Sequence, residues 1–183
     1  MANFMSLPAE IRYEIYDQAM FPHHDYVAIY HCTAPKDVVS TVLKSPIFRL
    51  SACIRKEAMI RLFKTKLFEF SDFATALHFL GWAGKYGEEL ITKVKLLGIG
   101  EGTSIDQAVA TPLGERLVAM KALKSITIMK LIEAPRYAEC ADVDLSEKMP
   151  FLKELEKENV EVKILRVGGL SQSLAMHGTP NPM

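Results

Sequence analysis

Cysteine is scarce in this 183-residue chain, surplus charge of either sign is absent, and no hydrophobic run is long. The three cysteines, Cys32, Cys53 and Cys140, are odd in number and far apart. They make no disulfide framework and point to a reducing compartment. Lys plus Arg total 22 and Asp plus Glu total 22, so the net charge is zero. Nucleic acids and anionic membranes both select a basic excess, so neither is an expected partner. The longest apolar run, Phe79 to Gly84, is far shorter than the roughly 20 residues of a membrane-spanning helix. The opening MANFMSLPAE has no basic segment followed by an apolar one. No secretory signal is expected, and the chain reads as intracellular, cytoplasmic or nuclear.

Groups that carry chemistry are just as thin. His23, His24, Asp25, His31 and Cys32 form the one cluster of metal-ligand types. Adjacent histidines do not easily converge on one ion, and His31 and Cys32 on a strand would face opposite sides, so no zinc site is expected. Gly98 to Thr103 (GIGEGT) lacks both the Gly-Lys-Ser/Thr ending of a P-loop and the G-x-G-x-x-G spacing. It reads as a plain βα turn. Cys53 is expected on the inner side of its helix as a small core residue. Cys140 lies beside Glu139 and Asp142, whose charges disfavour the thiolate. Ser104 and Ser171 have no identifiable histidine partner. No catalytic residue, metal or cofactor is therefore expected, and the chain reads as non-enzymatic.

What is present is a globular composition, 49% hydrophobic and 24% charged, at a length that supports one core without staples. The best-marked stretch is Ser6 to Met20 (SLPAEIRYEIYDQAM). Pro8 suits the first helical position and Glu10 sits in the first turn, near the positive end of the helix. Leu7, Ile11, Ile15 and Ala19 recur every four residues as an apolar stripe with Tyr16 beside it. Phe21-Pro22 ends the helix. Asp25 to Cys32 is rich in β-branched and aromatic residues and reads as strand-like, and Asp37 is suited to cap a short helix. Ser45-Pro46 reads as the start of a helix running to about Lys64, with Ile47, Leu50, Ile54, Ala58 and Leu62 as its stripe.

From Lys66 strands and helices alternate. Strands are expected over 67–70, with Phe68 and Phe70 on one face and Glu69 on the other, and over 93–99, 125–131 and 160–167. Between them lie a helix capped by Asp72 with Phe73, Leu77 and Leu80 inward, and one from Ile105 that restarts at Thr111-Pro112. A third is capped by Ser146 and carries Met149, Leu152 and Leu155. Such alternation favours a parallel sheet with right-handed crossovers. The strand starts lie roughly 26 to 35 residues apart without a leucine-rich consensus, an irregular βα stack. The expected fold class is α/β (α+β). A helical module with one strand-like segment spans 1–65, and a stack with a small, mostly parallel sheet spans 66–169. A disordered tail covers 170–183, and one continuous globular domain over 5–169 is the alternative.

Leu7, Pro8, Glu10, Ile11, Arg12, Ile15 and Tyr16 spell LP-x-EIR-x-x-IY; Ile54, Arg55, Glu57 and Ala58 follow on a second helix, then Phe68 and Phe70 on a strand. Over roughly the first 75 residues this resembles a family of small fungal F-box-like proteins. Cys53 directly precedes Ile54 rather than standing three residues earlier, and Lys66 occupies a place where asparagine is common in that family. The resemblance implies a protein–protein interaction module that docks a Skp1-type adaptor of a cullin ubiquitin ligase. Its contacts would be Leu7, Pro8, Glu10, Ile11, Ile15 and Tyr16, and the βα stack would face an unknown protein target. Physically this is a helix laid in an apolar groove.

The same stripe reads equally well as a seam packed on the Ile54 helix. Arg55 and Glu57, two residues apart, face different sides and so pair elsewhere, as Arg12 with Glu57 would. Trp82 and Tyr86 read as packing residues. The alternative function is a small-molecule binder or enzyme with a pocket at the strand carboxyl ends, near 98–103 and 132–137.

Overall fold

The computed structural model describes residues 4–22, 24–30, 37, 42–100, 105–132, 145 and 149–168. The chain runs α1 (Ala9–Met20), β1 (Tyr26–Ile29), α2 (Ala52–Thr65), β2 (Leu67–Phe70), α3 (Phe73–Glu88) and β3 (Lys93–Gly100). It continues through α4 (Gln107–Ala119), β4 (Ser125–Ile132), α5 (Phe151–Lys157) and β5 (Glu161–Gly168). The five strands pair in chain order, β1 to β5, and every pairing is parallel. The fold is mixed α/β, an N-terminal helix followed by strands alternating with helices. The strand-like segment near Tyr26 becomes β1 and joins the same sheet as the four later strands.

Chain order explains the layering. Successive parallel strands joined by crossovers of one hand bring every connecting helix to the same face. Val27 and Ile29, Phe68 and Phe70, Val94 and Leu96, and Ile126 and Ile128 alternate along four strands and are all buried. They share one hydrophobic core with Leu62 and Phe63 of α2, Phe79 and Leu80 of α3, Leu113 and Leu117 of α4, and Leu152 and Leu155 of α5. The rings of Phe68, Phe70 and Phe63 surround Phe79 at centroid distances of 5.2, 5.3 and 6.5 Å. On the other face the register lines up Ala28, Glu69, Lys95, Thr127 and Lys163 across the sheet. Glu69 accepts there from Lys95 Nζ at 2.6 Å and from the Tyr30 hydroxyl at 3.1 Å.

Several local expectations are corrected. No helix runs from Ser45 to Lys64. Pro46–Arg49 forms a short 3-10 turn, Leu50 is turned out to 66% exposure, and Ser51 caps α2 by accepting from the Ile54 amide at 3.2 Å. Ser45 is diverted from capping because its hydroxyl donates to the Ala19 carbonyl at the end of α1, at 2.8 Å. Cys53 is exposed rather than in the core, because it stands about 100° around α2 from Ile54 and the inner side is taken by Ile54, Ala58, Leu62 and Phe63. In α3 Asp72 caps as expected, accepting from the Thr75 amide at 2.7 Å. The inner face, however, centres on Ala76, Phe79 and Leu80, and Phe73 and Leu77 are half-buried. Gly84, at φ 59°, kinks α3 in a conformation that L side chains avoid. α4 runs unbroken through Pro112, at the cost of the single bond its missing N–H would make. β3 carries one extra residue against β4 between Leu96 and Ile99. Ser146, residues 101–104 of the glycine-rich turn and the 170–183 tail lie outside the described residues.

Lys66 is only 8% exposed, and its ammonium donates to the carbonyls of His24 at 2.8 Å and Phe21 at 3.4 Å. It ties the end of α1 to the entry of β1. At the far end of the helix layer, a Cβ added to Gly114 of α4 would stand 2.6 Å from the Phe151 ring and 2.9 Å from its Cβ. Glycine is there to let α5 approach. Gly114→Ala is therefore expected to lose about 1–3 kcal/mol in urea unfolding through overpacking, despite better helix propensity. Gly81→Ala, with nothing within 4 Å of the new carbon, is the control, expected to gain about 0.4–1 kcal/mol.

Candidate protein-docking site

α1 begins one residue later than expected, with Pro8 at the cap position, and ends at Met20. Its inward side is Tyr16, fully buried, and Met20, 6% exposed, with Tyr13 half-buried between them. Tyr16 stacks near Phe4 and Tyr13, at centroid distances of 5.9 and 6.4 Å. The outward side carries Ile11 and Ile15, at 43% and 38% exposure, with Leu7, just ahead of the helix, at 37% and Pro8 and Glu10 exposed beside them. The core-seam reading of this stripe is thus overturned. An aromatic seam packs α1 on α2, and the aliphatic row is left to solvent.

Two ion pairs set that rotation of the helix about its axis. Arg12 meets Glu57 of α2 with a two-pronged contact, Nε to Oε2 at 2.9 Å and Nη2 to Oε1 at 2.6 Å. The Tyr16 hydroxyl donates to the same Oε2 at 2.7 Å, and Arg12 also donates through Nη1 to the Leu7 carbonyl. One turn on, Arg61 holds Asp17 through Nε at 3.1 Å and Nη2 at 2.7 Å, its guanidinium 5.4 Å over the Tyr13 ring. The Arg12 guanidinium and the Tyr16 hydroxyl hold the Glu57 carboxyl below the usual carboxylate range, against a smaller opposing effect of burial. Burial, and donation to Glu57, push the Tyr16 hydroxyl well above the ordinary tyrosine range.

Of the expected contact residues, five share the outward surface: Leu7, Pro8, Glu10, Ile11 and Ile15. Tyr16 does not belong with them; it faces α2, where its ring fills the core and its hydroxyl serves Glu57. The expected pairing of Arg12 with Glu57 is present, and Arg55 turns elsewhere, donating to the Phe48 carbonyl at 2.6 Å. The Asp17–Arg61 pair had no signal in the sequence, since its partners are 44 residues apart and belong to no motif. Trp82 packs on Phe79 at 5.6 Å, whereas Tyr86 is exposed.

Elsewhere, a cleft of about 220 Å³ lies between the N-terminal parts of α4 and α5, lined by Gln107, Thr111, Glu115, Met149, Phe151 and Glu154. Ligand pockets typically start at about 300 Å³. Of the metal-ligand cluster, His24 and Asp25 are described and His23, His31 and Cys32 are not; Cys140, Ser104 and Ser171 are also outside. Among the described residues no three His, Cys, Asp or Glu side chains converge as a metal site. No helix of the described residues is long and apolar enough to cross a membrane.

Because folding lowers the carboxyl of Glu57, its contribution to stability is present above the unfolded value and lost as pH falls through the folded one. The melting-temperature advantage of the wild type over Glu57→Gln is expected to be full at neutral pH. It should shrink as pH drops below about 4. A gap that stays constant with pH would mean that the charge of Glu57 is not what stabilises. Tyr16→Phe should lose about 1.5 kcal/mol in urea unfolding, the scale of a hydrogen bond to a charged acceptor.

No family model, no curated protein and no solved structure matches this chain.

Proposed function

We propose that this chain is a non-enzymatic interaction protein that docks a Skp1-type adaptor of a cullin ubiquitin ligase through the outward edge of α1. The observation that carries the reading is an exposed row, Leu7 just ahead of α1 and Ile11 and Ile15 on it, at a helix whose rotation is held by two ion pairs. Single exposed aliphatic residues are ordinary on protein surfaces. Ile11 and Ile15 on the helix, with Leu7 just ahead of its cap, continue one row at four-residue spacing, an apolar edge of the kind that grooves recognise. The motif resemblance of Leu7, Pro8, Glu10, Ile11 and Ile15 supports the same edge. β1 follows α1 where an F-box would run into its next helix, so docking is assigned to the α1 edge rather than to a three-helix module.

The face of the sheet away from the helices, which bears exposed Tyr26, Tyr30 and Leu165, is the surface for a target. Support for an interaction role over a ligand pocket comes from the strand order. Open α/β sheets form their ligand crevice where the order reverses, and β1 to β5 run without reversal.

The test is a pull-down of the purified protein with a Skp1-type adaptor, beside Ile11→Asp, Ile15→Asp. Both positions are exposed, so the double variant should keep its circular dichroism spectrum and lose no more than about 1 kcal/mol of stability. Adaptor capture by the wild type and none by the folded variant is the expected result. Equal capture by both, or none by the wild type, would sink the reading.

A further inference from the structure

The outward side of α1 is electrically lopsided. Glu10 and Glu14, one helical turn apart, are both exposed and have no ion-pair partner among the described residues. The only cation in α1, Arg12, is turned inward onto Glu57, and the Asp17 carboxylate is occupied by Arg61. The aliphatic row is therefore flanked on one side by carboxylates, with no basic side chain of α1 beside it. Like charges at i, i+4 disfavour each other on an isolated helix, a repulsion that a cation brought by a partner relieves. Next to the row is an open hollow of about 610 Å³ lined by Glu14, Ile15, Asp17, Gln18 and Ala19. Its lining sets the aliphatic surface of Ile15 and Ala19 beside the carboxylate of Glu14. A lysine or arginine has the matching form, an apolar stem with a charged head.

We propose that the groove that receives α1 is apolar along its floor and carries lysine or arginine on the wall facing Glu10 and Glu14. One such side chain lies along Ile15 and Ala19 in the hollow and directs its charge to Glu14. The proposal rests on the reading of the α1 edge as the docking surface, and it adds the chemistry of the partner's wall. Exposed charges at a rim act mainly on the rate of encounter and weaken as salt shortens the Debye length. The salt dependence of association is thus the diagnostic quantity.

The experiment measures association kinetics of the full chain with a purified Skp1-type adaptor at about 0.05 and about 0.5 M salt. It compares the wild type with Glu10→Gln/Glu14→Gln, Glu10→Lys/Glu14→Lys and Ile11→Asp/Ile15→Asp, each first shown to fold by circular dichroism. Charge reversal is expected to slow association about tenfold at low salt and about twofold or less at high salt, with the neutral variant between and dissociation little changed. Suppose reversal leaves association unchanged or faster at low salt while the isoleucine variant still abolishes binding. The cationic wall is then refuted and the docking edge stands. If the wild type binds at neither salt concentration, the docking edge is refuted and the wall with it.

Discussion

Glu57 is the joint on which the N-terminal part of the molecule turns. Its two carboxylate oxygens receive two bonds from Arg12 and one from Tyr16, joining α1 to α2 across 45 and 41 residues of sequence. A half-buried carboxylate with three donors is a directional constraint, unlike the apolar contacts around it, which tolerate sliding and rotation. With Arg61 holding Asp17 a turn later, α1 is pinned at two points along its length. That decides which side of α1 is seam and which is surface. Apolar content alone would favour burying Leu7, Ile11 and Ile15. The polar constraint instead buries Tyr16 and Met20, and leaves the aliphatic row outside.

The sheet imposes a second constraint on where function resides. Five parallel strands in chain order place the described connecting helices on one face, and none of the described helices packs on the other. Parallel sheets are usually covered on both faces. The opposite face carries two ion pairs, Glu69 with Lys95 and Glu161 with Lys163, and exposed Lys93, Tyr26, Tyr30 and Leu165. The two surfaces thus differ in character, an acidic-flanked aliphatic edge at α1 and a tyrosine-bearing sheet face.

Much of the fold was legible because it rests on periodicity and local hydrogen bonds. Alternation placed Phe68 and Phe70 opposite Glu69, Asp72 announced the start of α3, and Leu152 and Leu155 fell inward at helical spacing. The failures share one cause, competition from a distant group for a side chain that local rules would have used nearby. Ser45 has the chemistry of a helix cap, yet its hydroxyl serves Ala19 of another helix, and the cap passes to Ser51. Pro112 should have broken α4, but one lost backbone bond weighs less than the buried contacts of Leu113 and Leu117. Around α1 the motif residues and the Arg12–Glu57 partnership were readable, whereas the side of α1 facing solvent was not.

The amino-acid sequence by itself determined the order of strands and helices, most of the inward-facing residues and the aliphatic row of α1. Each of these follows from spacing along a chain of known helical or extended pitch. Only the tertiary structure decided that this row faces solvent, that Tyr16 lies within and that the described connecting helices stand on one face of the sheet. Those outcomes depend on the rotation of one element against another. That rotation is set by hydrogen bonds and ion pairs between residues about 40 or more positions apart, which no local pattern encodes.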